Sequence, residues 1–435
     1  LGWRDCRAGV RQDRHFCGSG AAHSARFGVR ASDSADVVTG NLMAVLRPAT
    51  APVALSVLAA TFGVDCETDV VVTGAAIDSR TVRRGDLWFA LPGAQRHAMQ
   101  FAADAIAAGA SAVVTDEAGA RIASDLRVLS PQVPLIVVPN VRTVVGPTIS
   151  QVYAHPSKQL AMVGVTGTNG KTSVTHHLRD AWTCAAYDSA VIGTLGVRAA
   201  SHPEVEGAMG FTTPEADVLQ TTLSTLVAAG VTHVAMEVSS HALALHRVDG
   251  TRFAAVVFTN LSQDHLDFHG TMDNYFEAKA RLFTLDFSAN AVVCVDDDAG
   301  RDMARRAEAA GLRVLTYGSS GGDWRFSAVA GQVLQIRTGD GALTVPMPAP
   351  GDFTAANVTA AAAALAITGT PVAQIAGLMC AVSAVPGRME RINSDSAAGP
   401  TVYVDYAHSP DAVSDRKSTR LNSSHEWISR MPSSA

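Results

Sequence analysis

At 435 residues, with 47% hydrophobic and 17% charged side chains, the chain has room for about three domains with cores of their own. That composition excludes global disorder, a collagen-like repeat and a low-complexity fibre. A formal net charge of -6 offers no basic field to a nucleic-acid backbone, and apolar stretches such as 51–62 are too short to span a bilayer.

Residues 1–42 are rich in Arg, Gly, Ala and Ser and lack an apolar period, and the first methionine is Met43. No continuous apolar stretch follows the basic residues, so no secretory signal is expected, and 1–42 read as disordered or non-native. From there to about residue 413 the pattern is α/β. Strands are expected at 112–115, 135–138, 162–166, 233–236, 254–259, 291–295, 314–317 and 401–405, with helices over 102–109 and 355–367 between them. Continuous apolar strands alternating with helices predict parallel sheets covered on both faces. Boundaries are expected at the Pro-Ser turn of 155–158 and at Pro386-Gly387. The tail 414–435 is Ser/Arg-rich and aperiodic, and it interrupts a pattern that ought to feed a helix, so the chain is expected to stop inside a domain. Six cysteines lie far apart with no CxxC pair, which suits a reducing compartment rather than a disulfide frame or zinc site. A soluble, cytoplasmic protein with no nucleic-acid partner and no membrane insertion is the expectation.

The strongest local feature is the run from Met162 to Ser173, MVGVTGTNGKTS. A strand leads into Gly167, Thr168, Asn169 and Gly170, and Lys171 and Thr172 open a helix. The glycines let the backbone curl so that amide groups face an anion, and the helix N-terminus adds its dipole. Lys171 is expected on the β/γ-phosphates of a nucleotide and the Thr172 hydroxyl on magnesium. Val165 stands where the full GxxxxGK[ST] pattern has its first glycine.

In an open parallel sheet, ligands bind beyond the carboxyl ends of the strands. Four polar clusters fall there: Glu237 with Ser239 and His241; Asn260 with Asp264, His265 and Asp267; Asp296 to Asp298; and Asp405 with His408. Carboxylates and imidazoles beside a triphosphate suit magnesium binding. Taken singly each has an ordinary reading as a cap or a turn residue. Lys279, judged by spacing alone, is an exposed helix lysine.

Jointly these motifs resemble the Mur ligase family of peptidoglycan synthesis, in its tripeptide-forming branch. The resemblance rests on Asp78-Ser79-Arg80, Gly85-Asp86-Leu87, the 167–172 loop, Thr212-Thr213-Pro214-Glu215-Ala216 and Met236-Glu-Val-Ser-Ser-His241. It continues through His246-Arg247-Val248, Asp264-His265-Leu266-Asp267, Ala278-Lys279, Gly387-Arg388 and Val404-Asp-Tyr-Ala-His408, in order over about residues 50 to 413. It implies an N-terminal α/β domain for the UDP end of the substrate (43–158), a central parallel-sheet P-loop ATPase domain (159–385) and only the start of a C-terminal Rossmann-like domain (386–413).

The implied reaction is ATP-dependent amide ligation by a monomer. UDP-MurNAc-L-Ala-D-Glu is phosphorylated to an acyl phosphate, and meso-diaminopimelate attacks it. By resemblance Lys171, Glu237, His265 and Lys279 carry catalysis, and Thr172, Glu237, His265 and a CO2-derived carbamate on Lys279 hold Mg2+. Gly167, Thr168, Asn169, Gly170, Lys171, Thr172, Ser173, Asn357, Arg388, Asp405 and His408 fall at ATP positions. Ile77, Ser79, Ala94, Gln95, Arg96, Thr212, Thr213, Ser239, Leu245 and Arg247 fall at substrate positions.

Departures from the family pattern are Leu245 in place of a polar residue, Thr354 in place of an asparagine, and Arg96-His97-Ala98 after the uridine loop. No Asp-Asn-Pro-Arg motif for the diamino acid is present, so the 435-residue chain is expected to lack ligase activity of its own. The rival readings are an L-lysine-adding or other Mur-type ligase, folylpolyglutamate synthase, and a non-catalytic nucleotide-binding fragment.

Overall fold

The computed structural model describes residues 47–407, apart from 67, 69, 94, 128–132, 200, 330–331 and 393–401. Expectations for 1–42, Ala94, His408 and 414–435 therefore lie outside the described residues.

A short antiparallel ribbon comes first, β1 (Val53–Ala54) with β2 (Val71–Val72), and α1 (Leu55–Ala60) lies between them in sequence. β3 (Gly74–Ala76), β4 (Asp86–Phe89), β5 (Ala112–Thr115) and β6 (Leu135–Val137) then pair in chain order as an all-parallel sheet. Parallel strands need helical crossovers, which cover the sheet on both sides and explain why β4 and β5 are buried throughout. α2 (Ala102–Ala107) and α3 (Glu117–Leu126) pack on one face with Trp88 and Met99. α1 and α4 (Val141–Val152) pack on the other with Phe89 and Ile136. α4 begins where the Asn140 side chain caps the Arg142 amide, and it carries Pro147 internally. It meets the 246–251 turn backbone to backbone. A Cβ on Gly146 would collide with the Asp249 carbonyl, and one on Gly250 would lie 2.7 Å from Pro147 Cα.

The larger sheet has ten strands in the order β16-β15-β14-β13-β12-β11-β7-β10-β8-β9. These are β7 (Ala161–Thr166), β8 (Ser189–Gly193), β9 (Gly196–Arg198), β10 (His233–Glu237), β11 (Ala255–Phe258), β12 (Asn290–Cys294), β13 (Arg313–Gly318), β14 (Trp324–Val329), β15 (Val333–Thr338) and β16 (Gly341–Pro346). From β8 across to β14 every pairing is parallel. Alternation along β7 sends Met162 to one core and Val163 and Val165 to the other. α6 (Ala216–Ala229) and α10 (Asp298–Ala309) cover the Met162 face. α5 (Lys171–Cys184), α11 (Asp352–Ile367) and α12 (Val372–Met379) cover the other. The alanine-rich α11 is buried almost all round, as an apolar helix in a layer must be.

Both edges of this sheet depart from the all-parallel expectation. β9 turns back on β8, and β14, β15 and β16 form an antiparallel meander. Gly339 and Asp340 are the only residues between paired Thr338 and Gly341, and a two-residue loop can join only antiparallel strands. Of the strand expected at 401–405, the described residues form Tyr403–Val404, in the segment expected to begin a further domain. β18 (Tyr403–Val404) pairs antiparallel with β17 (Glu390–Arg391) outside the large sheet. No described helix is long and apolar enough to cross a membrane.

Candidate functional site

β7 lies between β10 and β11, and the chain passes from β7 to strands on either side, so the crevice beyond its carboxyl end is a topological switch point. A cleft of about 260 Å³ lies there. Its floor is the 167–170 loop, where Gly167 and Gly170 adopt φ of 147° and 89°. Side chains there would also collide, with the Thr259 hydroxyl at 167 and the Asn357 amide oxygen at 170. β11 braces the loop. Asn169 N–H donates to Asn260 Oδ1 at 2.9 Å, and the Thr259 hydroxyl donates to the Asn169 carbonyl at 2.6 Å. The loop is thus held curled by the protein's own groups.

Lys171 is half-buried in the cleft floor, and its ammonium donates to the carbonyls of Gly167 (2.9 Å) and Thr168 (2.8 Å). Lys279 reaches the same Gly167 oxygen at 2.9 Å, with its Nζ 4.4 Å from the centre of the Tyr275 ring. Burial first, and the Lys171 charge second, push the Lys279 amine well below its ordinary value. α9 (Met272–Ala280), which carries Lys279, is tied to the loop by Tyr275, whose hydroxyl lies 3.1 Å from that of Thr168. Lys279 is buried against the loop and is not among the cleft-lining residues.

Glu237, at the end of β10, is 1% exposed. Its carboxylate accepts from Thr194 N–H (2.9 Å) and the Thr194 hydroxyl (3.2 Å), and Thr212 adds a hydroxyl 3.1 Å from that of Thr194. Thr168 to Ser173, Thr194, Thr212, Glu237, Ser239, Asp264, His265, Asn357, Arg388 and Asp405 all line the cleft. His265 precedes α8 (Leu266–His269) and has its pKa lowered, chiefly by burial, which favours the neutral imidazole. Arg388 reaches across the cleft to donate to the Thr172 hydroxyl at 3.3 Å and lies over the Tyr406 ring. Asp405 accepts from the Met389 amide at 2.9 Å.

These oxygens fit a hard cation. Mg2+ is normally held by one or two carboxylates together with substrate phosphates and water, and the Thr172 hydroxyl and the Glu237 carboxylate are such donors. Among the described residues, no three His, Cys, Asp or Glu side chains converge as a metal cluster.

Of the four acidic clusters expected after strands, three reach this crevice. Asp296 to Asp298 do not, because β12 lies two strands from β7. Asp297 caps α10 through the Gly300 amide, and Asp296 accepts from Ser319. Thr213 is buried and serves the backbone, donating to the Glu237 carbonyl and accepting from Ser239 N–H. Arg247 follows α7 (Ser240–Ala244) and pairs with Glu215, while Leu245 contributes its carbonyl to Arg142. Ile77, Ser79, Gln95 and Arg96 lie on connections between strands of the four-stranded sheet and do not line the cleft. The Ile77 amide donates to Asp217 of α6, and Gln95 and Arg96 are exposed. His97, the departure beside them, meets Asp116 at 3.1 Å and caps Met99.

Thr194, Phe353 and Tyr406 line the cleft without having been singled out from the sequence. Tyr406 lies inside a quoted motif. Thr194 directly follows β8, and the strand-end rule finds it once that strand is recognised.

Comparison with known proteins agrees with this geometry. Residues 165–365 match the Mur ligase middle domain and 71–153 the catalytic domain of the Mur ligase family. The UDP-N-acetylmuramoyl-L-alanyl-D-glutamate--2,6-diaminopimelate ligase of Corynebacterium efficiens is 42% identical, over 79% of this chain and 65% of its own length. Its namesake in Alkalilimnicola ehrlichii is 40% identical, over 79% of this chain and 70% of its own. The chain thus spans about two-thirds of the length of the curated relatives it matches. A solved ligase structure of the same name superposes with a TM-score of 0.71 at 28% identity, covering 85% of this chain and 74% of its own. The MurF structure from Acinetobacter baumannii shares the fold at a TM-score of 0.61 and 19% identity, over 86% of this chain and 78% of its own. With a relative matched at this identity over this share of its length, and the phosphate loop seated at the switch point of the sheet, the chain belongs to the Mur ligase family.

Proposed function

We propose that this chain is the nucleotide- and substrate-binding portion of an ATP-dependent amide ligase that joins meso-diaminopimelate to the D-Glu carboxylate of UDP-MurNAc-L-Ala-D-Glu. The observation that carries the reading is the meeting, in one cleft, of a preformed phosphate loop, a buried carboxylate at Glu237 and the hydroxyls of Thr212 and Ser239. The names of the relatives support the choice of substrates. The reading divides the chain near residues 158 and 385, between the two sheets and after α12. It sets the reaction in the cytoplasm and in a monomer.

A carboxylate is a poor electrophile at neutral pH, so a leaving group must first be installed. Transfer of the γ-phosphoryl group breaks its bond to the β-phosphate oxygen, forms an acyl phosphate and releases ADP. The amine then adds to the carbonyl carbon, loses a proton, and expels inorganic phosphate as the amide forms. Two anions have to approach each other for this, and positioned positive charge is what permits it. Lys171 exchanges the Gly167 and Thr168 carbonyls for phosphate oxygens, and the first-turn amides of α5, which have no intrahelical acceptors, face the same oxygens. Arg388, Asn357 and Asp405 hold the nucleotide from the opposite wall. Thr212 and Ser239 orient the substrate carboxylate. Mg2+, held by Thr172 and Glu237 with His265 nearby, would neutralise charge on the phosphates. Burial and the neighbouring Lys171 charge lower the Lys279 amine and so favour its neutral form, which can add CO2 with release of a proton; the resulting carbamate would offer a hard oxygen ligand.

Calorimetry of the purified chain with ATP, and then with UDP-MurNAc-L-Ala-D-Glu, tests the reading. Saturable binding of both is expected, with no preference for the tripeptide product. Failure to bind the dipeptide nucleotide, or equal binding of a folate substrate, sinks it. Labelled bicarbonate gives a carbamate carbon signal that Lys279→Met removes if the lysine is modified.

A further inference from the structure

Arg247 carries a donor with nothing to donate to. Its Nη1 serves the Thr213 carbonyl at 3.2 Å, its Nη2 meets Glu215 Oε1 at 2.8 Å, and the guanidinium lies 4.6 Å from the centre of the Phe211 ring. Nε is buried and has no hydrogen-bond partner. Nε and Nη2 are the two tines of the side-on fork with which arginine takes both oxygens of a carboxylate or phosphate. Glu215 therefore fills half of that fork. Its other oxygen lies 3.8 Å from Nη1 of Arg142, at the start of α4, and the same nitrogen reaches the Leu245 carbonyl at 3.5 Å. One carboxylate is thus shared by two guanidiniums, and at 29% exposure its side chain retains room to move.

We infer that Glu215 is an internal stand-in for an anionic group of the substrate. In the free protein it holds the Arg247 guanidinium ready. On binding, a two-oxygen anion of the substrate, a carboxylate or the pyrophosphate, takes the Nε–Nη2 fork, and Glu215 withdraws to Arg142. This makes Glu215 a positioning residue that competes with the substrate, and the inference rests on the proposed function together with the expectation from the sequence that Arg247 is a substrate residue. A permanent structural pair would also hold Arg247 in place, but it would leave no reason for the buried Nε–H to lack an acceptor.

The two roles predict opposite signs. The probe is UDP-MurNAc-L-Ala-D-Glu, titrated calorimetrically into the full chain without ATP. Removing the competing charge with Glu215→Gln is expected to lower Kd by about threefold, the scale of a partly exposed ion pair. Glu215 makes no side-chain cap to α6, so this change removes no helix cap. Arg142→Gln, which takes away the alternative partner, is expected to raise Kd by about the same factor, and it carries the test alone should Glu215→Gln not fold. With UDP alone as the probe, the gain from Glu215→Gln persists if the pyrophosphate takes the fork and vanishes if a peptide carboxylate does. Weaker or unchanged binding in Glu215→Gln overturns the inference while leaving the proposed function standing. A wild-type chain that does not bind the dipeptide nucleotide overturns both.

Discussion

Around β7 the groups facing the cleft are fastened by hydrogen bonds within the protein. Lys171 rests on two loop carbonyls, Glu237 on the Thr194 amide and hydroxyl, and the loop itself on Asn260 and Thr259. In the four-stranded sheet, the corresponding candidates Gln95 and Arg96 are exposed on a loop closed by the Gly93–Arg96 backbone bond, with the His97–Asp116 contact next to it. Both sheets are parallel where these groups arise, so topology alone does not account for the contrast. Buried, pre-bonded groups suit a place where charge is to be transferred, because they need no reorganisation when it moves. An exposed loop suits recognition, where adaptability is cheap and contacts are individually weak.

The sharpest way to break this contrast is Lys171→Met. It is expected to weaken ATP binding by about a hundredfold, the scale of a charged hydrogen bond lost, and to leave uridine-nucleotide affinity unchanged in parallel titrations. A next step down, Gly170→Ala forces a side chain into left-handed backbone and against Asn357. A loss of about 2 kcal/mol in denaturant unfolding is expected. Adding Asn357→Ala should recover only the part due to the collision.

Acid should weaken the central region selectively. Burial holds His177 of α5 down to about 4 and His176 down to about 3. In the unfolded chain an imidazole titrates near 6.5, so between 6.5 and those values the unfolded state binds more protons. Stability should be level above pH 6.5 and fall below it, by at most about 1.4 kcal/mol per pH unit for each histidine. Thermal melts across that window should show a shallower fall in His177→Gln. Smallest of all, Gln95→Ala with Arg96→Ala should weaken uridine-nucleotide binding only a few-fold and leave ATP binding untouched. A large effect there would erase the contrast between the two sheets.

What the sequence made legible was local. Gly167 to Thr172 announce a phosphate loop because a strand, a glycine turn and a helix start follow in order, and most strands between 112 and 317 announce themselves by apolar runs. β8 and the β14–β16 meander were missed. Ser189 to Gly193 is a short run without a strong bounding signal, and the Thr338–Gly341 turn was not weighed against an otherwise parallel pattern. Lys279 shows the deeper limit. Its helix spacing describes an ordinary lysine, and only the packing of α9 against a loop more than a hundred residues away makes it a buried amine on a shared carbonyl. The Asp296–Asp298 run failed in the opposite sense. It looked like a ligand set but lies two strands from the switch point, where it caps a helix and braces a turn.

The crossing of α4 over the Asp249–Gly250 turn has a mechanical meaning. Gly146 and Gly250 bring two backbones together with no side chain between them to slide or yield. The turn is clamped in turn to α9, since Arg281 pairs with Asp249 at 3.2 Å and His246 with the same carboxylate at 2.7 Å. A joint built this way passes torque along instead of damping it. Tilting the four-stranded sheet levers the turn that bears Arg247, and through Asp249 it levers the helix that bears Lys279.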